Sequence, residues 1–413
     1  MAKYTYPAQQ DLQRFVEARY RKAWIWQTLF LASLLIAILS LSALLLNVVD
    51  GAFGYIAYEF KKDPYTISEK PLDELNQEEL VALLQTTLSR GAYNKLNTEK
   101  PLEQRSQAEL YNLVIERIIQ IKTRETYSLY HSLFEKNKIE AEVKENFPEA
   151  RLEFRSWLTP AFLTTPMSSR AEFAGVRTAV LGSIWLVGIA IAFALPVGVG
   201  AAVYLQEYSN RKHLINRVIQ TNINNLAGVP SIVYGMLGLA IFVRAMEAFT
   251  SGAMFGVTDS NGRTILSAGL TMGILVLPLV IINAQEAIKA VPRALREASM
   301  AVGATKWQTI LHHVLPNAIP GIMTGSILAI SRAIGETAPL VVVGVSTFVT
   351  FDPTSPFSKF TTLPAQIYQW TARPQPEFKF IAAAAIIVLL VLLLTLNAAA
   401  VLLRNKYSKV LKY

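Results

Sequence analysis

Six stretches of this chain contain no Asp, Glu, Lys or Arg: Ala23 to Val49, Thr178 to Gln206, Val218 to Val243, Thr264 to Gln285, Trp307 to Ser331 and Phe380 to Leu403. Each exceeds the roughly 20 residues that a helix needs to span a hydrocarbon core. In lipid a backbone must satisfy its own hydrogen bonds. These runs therefore predict an all-α, polytopic membrane protein. Composition agrees: of 413 residues 52% are hydrophobic and only 17% charged, with a mean hydropathy of +0.33. The fifth crossing is placed from about Asn317 to Val345, because His312, His313 and Pro316 make a poor lipid-facing start. Six transmembrane helices result, and an even number returns both termini to one side.

The distribution of basic residues fixes that side. Five Lys and Arg precede Ala23 (Lys3, Arg14, Arg19, Arg21, Lys22), three lie between Arg211 and Arg217, four between Lys289 and Lys306, and four follow Leu403. All fall on one face, which is therefore cytoplasmic. The opposite face receives Asp50 to Arg170, which is net −3, whereas the remainder carries +12. The overall +9 is thus a topology signal and not a nucleic-acid footprint. The chain divides into a cytoplasmic basic lead (1–22), a retained first helix (23–49), a mostly helical external insert (50–170), a core with five further helices (171–403) and a cytoplasmic tail (404–413). The core includes a cytoplasmic loop at 284–316. The absence of cysteine excludes disulfides and thiolate metal sites.

Within the insert, SEKPLDELNQEELVALL (Ser68 to Leu84) recurs as TEKPLEQRSQAELYNLV (Thr98 to Val114). Asn76 with Glu79, and Ser106 with Glu109, have the spacing of a capping box. The apolar stripes Leu80, Leu83, Leu84 and Leu110, Leu113, Val114 predict two related helices packed face to face, the second continuing towards Phe134. The insert's one histidine, His131, is read as structural, and the insert as a structural or docking domain.

Polar groups inside the apolar runs mark candidate functional positions. Gly198 and Gly200 suit close helix packing rather than nucleotide binding, since Val203 stands where a third small residue would be needed. Asn222, Asn224, Asn225 and Pro230 are costly against lipid and should face protein or a water-filled path. Arg332 and Glu336 lie four apart, so a continuous helix would place them on one face at about mid-membrane depth. A charge there costs about 2.5 to 3.5 kcal/mol on insertion scales, which disfavours lipid exposure. Pro339 cannot donate to the carbonyl of Gly335 and loosens the helix beside both charges. A guanidinium offers forked donors to an oxyanion, and a carboxylate beside it can accept a proton from an anion that still carries a P–OH group. An internal ion pair joining two helices is the competing reading of this pair.

On the cytoplasmic side, QEAIKAVPRALREASMAVGATKWQTILHHVLP predicts a short surface helix from Pro292 to Ala301, displaying Arg296 and Glu297 and ended by a left-handed Gly303. A second helix starts near Thr305 and enters the membrane beyond Pro316.

Glu297-Ala298-Ser299, then Gly303, then Leu315-Pro316, resembles the EAA loop of ABC importer permeases, with Ser299 for the usual second Ala and His313 where the pattern has Ile. With Asn225 to Gly235 (NLAGVPSIVYG) and Ser331 to Leu340 (SRAIGETAPL), the chain is similar to the phosphate importer permeases of the Pst type, more to their A than to their C subunit. The likeness covers roughly residues 175 to 345 and leaves out the insert.

The resemblance implies a bacterial inner-membrane permease without catalytic residues, cofactor or metal. Arg332, Glu336, Asn222 and Asn225 would serve the solute path. Arg296, Glu297, Ala298, Ser299, Gly303, Leu315 and Pro316 would couple it to an ATPase. Its implied partners are a homologous second permease, two ATP-binding subunits holding ATP and Mg, an external phosphate-binding protein and the bilayer, with no nucleic acid. No phosphate-binding loop of the type Gly-x-x-x-x-Gly-Lys-Ser/Thr occurs in the chain, so hydrolysis falls to a partner. Another small anion such as molybdate or sulfate, or a membrane-anchored interaction protein acting through the insert, are the alternative readings.

Overall fold

The computed structural model describes residues 9–62, 66–68, 70–72, 74–99, 101–210, 213–257 and 261–410. Lys3, Arg211, Lys212 and Lys412, counted in the charge bias, lie outside the described residues. The described part of the lead is no separate element. The first charge-free run extends back through it as one 44-residue helix, α1 (Gln9–Ala52).

The chain passes from α1 straight into β1 (Phe53–Phe60, FGYIAYEF), whose aromatic and β-branched residues favour a pleated surface. After α2 (Gln77–Thr87) and α3 (Gln107–Val114) come β2 (Ile121–Thr126) and β3 (Arg151–Ser156). They form a three-stranded sheet in the order β2-β1-β3, antiparallel throughout, with Phe60 opposite Ile121 and Phe53 opposite Ser156. The sheet is an addition to the mostly helical insert read from the sequence. The amide of Trp157 donates to the carbonyl of Ala52 at 3.1 Å, so the sheet domain leaves and rejoins the membrane core at neighbouring backbone positions.

Both predicted capping boxes are formed, Asn76 with Glu79 and Ser106 with Glu109, and Leu80, Leu84, Leu110 and Val114 are buried together. The two repeats grip each other reciprocally. Gln77 donates to the carbonyl of Arg105 at 3.1 Å, and its counterpart Gln107 donates to that of Leu75 at 2.8 Å. The expected continuation of the second helix towards Phe134 is not seen. α3 widens into a π turn over Ile115–Ile119, Gln120 takes a positive φ of 57°, and β2 follows.

The membrane core begins with α4 (Arg177–Tyr208), followed by α5 (Leu214–Leu226) and α6 (Ser231–Ala245). Next come α7 (Ile265–Lys289), the surface helix α8 (Arg293–Ala301), α9 (Lys306–Gly335), α10 (Ala338–Val343), α11 (Leu363–Thr371) and α12 (Glu377–Val410). Among the described residues five helices are long and apolar enough to cross a membrane, and a sixth crossing exists only if α5 and α6, bent by 107°, count as one. The third predicted crossing is therefore a broken one. Pro230 supplies the break, standing as the N-cap of α6, and Tyr234 Oη donates to the carbonyl of Leu226 at 2.8 Å across the bend. α4 and α7 form the centre of the bundle, where Leu186, Ala190, Ala268, Met272 and Val276 are buried. Gly198 fits against Val280 of α7, as close packing requires, whereas Gly200 faces open space.

Candidate functional site

The surface helix α8 forms as the spacing predicts. Pro292 precedes α8 as its N-cap, Gly303 takes the left-handed φ of 89°, and Thr305 with Gln308 builds a capping box that starts α9. From there the helix runs on through a π turn at Ile310–Val314, past the half-buried Leu315 and Pro316, to Gly335. Glu297 and Ala298 are exposed. Ser299 is buried, and its hydroxyl lies 3.0 Å from that of Thr309, tying α8 to α9.

Arg296 departs from the expected surface display. Its guanidinium turns inward, donating to Glu207 Oε1 at 3.1 Å from Nε and at 2.8 Å from Nη2. It also donates to the carbonyls of Val291 at 2.6 Å and Ile288 at 2.8 Å. Those carbonyls close the C-terminal end of α7, where unpaired acceptors favour a cation. Met300, Val302 and Trp307, which follow Glu297 in the chain, are exposed, with Val302 at 86%. Their apolar character is plain in the sequence, but no spacing rule singles them out.

The second cluster lies where α9 gives way to α10. α9 stops at Gly335; Glu336 is its C-cap with an extended ψ of 125°, and α10 begins afresh with Pro339 in its first turn. Arg332 and Glu336 therefore do not share one helix face, because the helix ends between them. They still meet, Nε to Oε1 at 3.5 Å, with side-chain exposures of 46% and 20%. Among the described residues the terminal nitrogens of Arg332 bond no protein atom. Ser331 donates to Asn397 at 2.7 Å, and Asn397 lies within the charge-free run of α12, so this cluster sits between two helices apolar enough to cross a membrane.

α6 packs directly on α10. A Cβ on Gly235 would stand 2.7 Å from Pro339 Cα, so the contact demands glycine. The two broken helices carry NLAGVPSIVYG and SRAIGETAPL, which thus come together in space. Asn222 and Asn225 on α5 are exposed, and Asn222 donates to its own helix at the Val218 carbonyl, 2.9 Å away. Among the described residues no hydrogen bond joins either asparagine to Arg332 or Glu336. Gln220 and Gln285, which no sequence pattern singles out, exchange amide bonds of 3.2 and 2.8 Å between α5 and α7.

Residues 194–409 match the family model described as binding-protein-dependent transport system inner membrane component. The chain belongs to that family. It is a multi-pass membrane permease subunit of an ABC importer. Similar proteins include a probable ABC transporter permease protein, YqgI, of Bacillus subtilis (strain 168), 35% identical over 52% of this chain and 68% of that relative. The phosphate transport system permease protein PstA 1 of Mycobacterium tuberculosis (strain CDC 1551 / Oshkosh) is 37% identical over 49% of this chain and 62% of its own length. The phosphate transport system permease protein PstC 2 of Mycobacterium bovis (strain ATCC BAA-935 / AF2122/97) is 30% identical over 48% and 63%. The permease thus spans 62% to 68% of the length of these relatives. The family match leaves out the insert at 50–170.

Proposed function

We propose that this permease conducts inorganic phosphate inward across a bacterial inner membrane, with both termini cytoplasmic, by alternating access with a homologous second permease. Two ATP-binding subunits would hold ATP and Mg, and an external phosphate-binding protein would deliver the solute. The observation that carries the reading is the pair of broken helices, α6 and α10, packed at Gly235 and Pro339 beside the Arg332–Glu336 charges. The phosphate transport names of several relatives support the choice of solute.

Arg332 presents forked donors suited to two oxygens of an oxyanion. Glu336 repels a fully ionised anion yet accepts a hydrogen bond from a P–OH group, which favours hydrogen phosphate over sulfate. Asn222 and Asn225 line the cytoplasmic approach to that pair. Glu297, Ala298, Gly303, Leu315 and Pro316 form the coupling element, with Glu297 and Ala298 docking in a groove of the ATPase and Arg296 and Ser299 holding the docking helix in place. Such a contact drives the permease only if it differs between the two states. The complex co-purified with its ATPase and binding protein should hydrolyse ATP faster when the binding protein carries phosphate. Stimulation by molybdate or sulfate in place of phosphate would overturn the choice of solute.

A further inference from the structure

Arg296 is buried to an extent that a docking residue has no reason to be. Its side chain and that of Glu207 are 17% and 10% exposed, and their closest approach is 2.8 Å. Glu207 belongs to the last turn of α4, whereas Ile288 and Val291, whose carbonyls the same guanidinium engages, close α7. One side chain on the docking helix therefore grips the cytoplasmic ends of the two helices at the centre of the bundle. On the far end of α8, the Ser299–Thr309 bond holds the start of α9.

We propose that Arg296 is the positioning residue that makes the docking helix and the cytoplasmic ends of α4 and α7 one rigid body. Displacement of α8 by the ATPase then reaches both central spans directly, in parallel with the route through α9. A paired, multiply hydrogen-bonded charge suits this task, because loss of one partner leaves the other buried and unpaired. The joint is chemically asymmetric. A carboxylate at 296 would face the carbonyls of Ile288 and Val291 with no proton to donate, so exchanging the two charges should not restore it. The inference rests on the proposal that α8 docks to an ATPase.

The chain has no cysteine, so a single cysteine replacing the exposed Tyr204 on α4 reports movement of that span without reference to any solute. Alkylation of Tyr204→Cys is measured in the complex co-purified with the ATPase, with and without ATP plus vanadate. The expected result is a nucleotide-dependent change in alkylation rate that is lost in Arg296→Ala, partly kept in Arg296→Lys, and lost in the swap Arg296→Glu with Glu207→Arg. Glu207→Gln, a neutral isostere that keeps the packing, should diminish the change while the complex still assembles. An undiminished response in Glu207→Gln or Arg296→Ala would overturn the proposal. So would failure of Arg296→Ala and Arg296→Lys to bind the ATPase while Glu207→Gln binds it normally, since Arg296 would then belong to the docking contact itself. Co-purification of the parent chain reads the docking proposal separately.

Discussion

Glu336 and Arg332 meet at 3.5 Å across the end of a helix, with the terminal nitrogens of Arg332 left for another partner. If Glu336 selects a protonated oxyanion, Glu336→Gln should weaken discrimination between phosphate and sulfate in vesicle uptake; unchanged phosphate uptake and unchanged sulfate exclusion would refute that role. At the docking end, Glu297→Lys should assemble poorly with the ATPase or uncouple it, as co-purification and ATPase assays would reveal. A fully coupled Glu297→Lys complex would remove the docking role. In the insert, burial pushes the Glu116 carboxyl above its ordinary value, with Arg117 and Arg170 opposing the effect and Glu172 adding to it. The folded insert then holds that proton more tightly than the unfolded chain, so this contribution to stability is greatest in acid and fades as pH rises through the folded value. Glu116→Gln should slow hydrogen exchange in α3 and β2 at alkaline pH and change it little in acid; equal protection at all pH values would contradict the assignment.

Helix ends were legible wherever a cap or a left-handed glycine supplied a local signal, as at Asn76, Ser106 and Gly303. Breaks set by packing were less so. Pro339 suggested a loosened helix, yet the full turn at Glu336 depends on α10 lying against α6, a contact between residues about a hundred positions apart that no local pattern encodes. Gly235 makes that contact possible. Gly235→Val should therefore drive a side chain into the Pro339 backbone and cost about 1 to 3 kcal/mol. A lowered Tm in detergent, with loss of coupled ATPase, is the expected result, and an unchanged Tm would show that the two broken helices do not depend on their close contact. The sheet escaped notice for a different reason. β1 follows the first apolar run without a break, and β2 (IKTRET) and β3 (RLEFRS) carry long charged side chains. Some of these lie over aromatic rings, Arg151 on Phe60 at 5.2 Å and Arg155 on Trp157 at 5.0 Å, which a hydrophobicity pattern cannot register.

At the scale of the whole molecule, the insert meets the permease core at a seam where Trp157 bonds Ala52 and where Ile56, Trp157 and Phe162 share a buried cluster with Leu363, Trp370 and Phe378. The membrane class and the helix–Gly303–helix layout of the loop at 284–316 were readable because lipid and local caps impose strong one-dimensional rules. The inward turn of Arg296 was not, because it depends on Glu207, which lies far away in the chain. Removal of Phe53 to Ser156 with a short Gly-Ser join across the seam should leave ATPase binding and transport in place, identifying the insert as accessory. Loss of transport with assembly intact would instead make it part of the machinery. The most direct test of the account as a whole is ATP-driven uptake of labelled phosphate, sulfate and molybdate into vesicles holding the complete complex. The account predicts ATP-dependent accumulation of phosphate alone, abolished by Arg332→Ala; accumulation of another anion in its place, or undiminished phosphate uptake by Arg332→Ala, would contradict it.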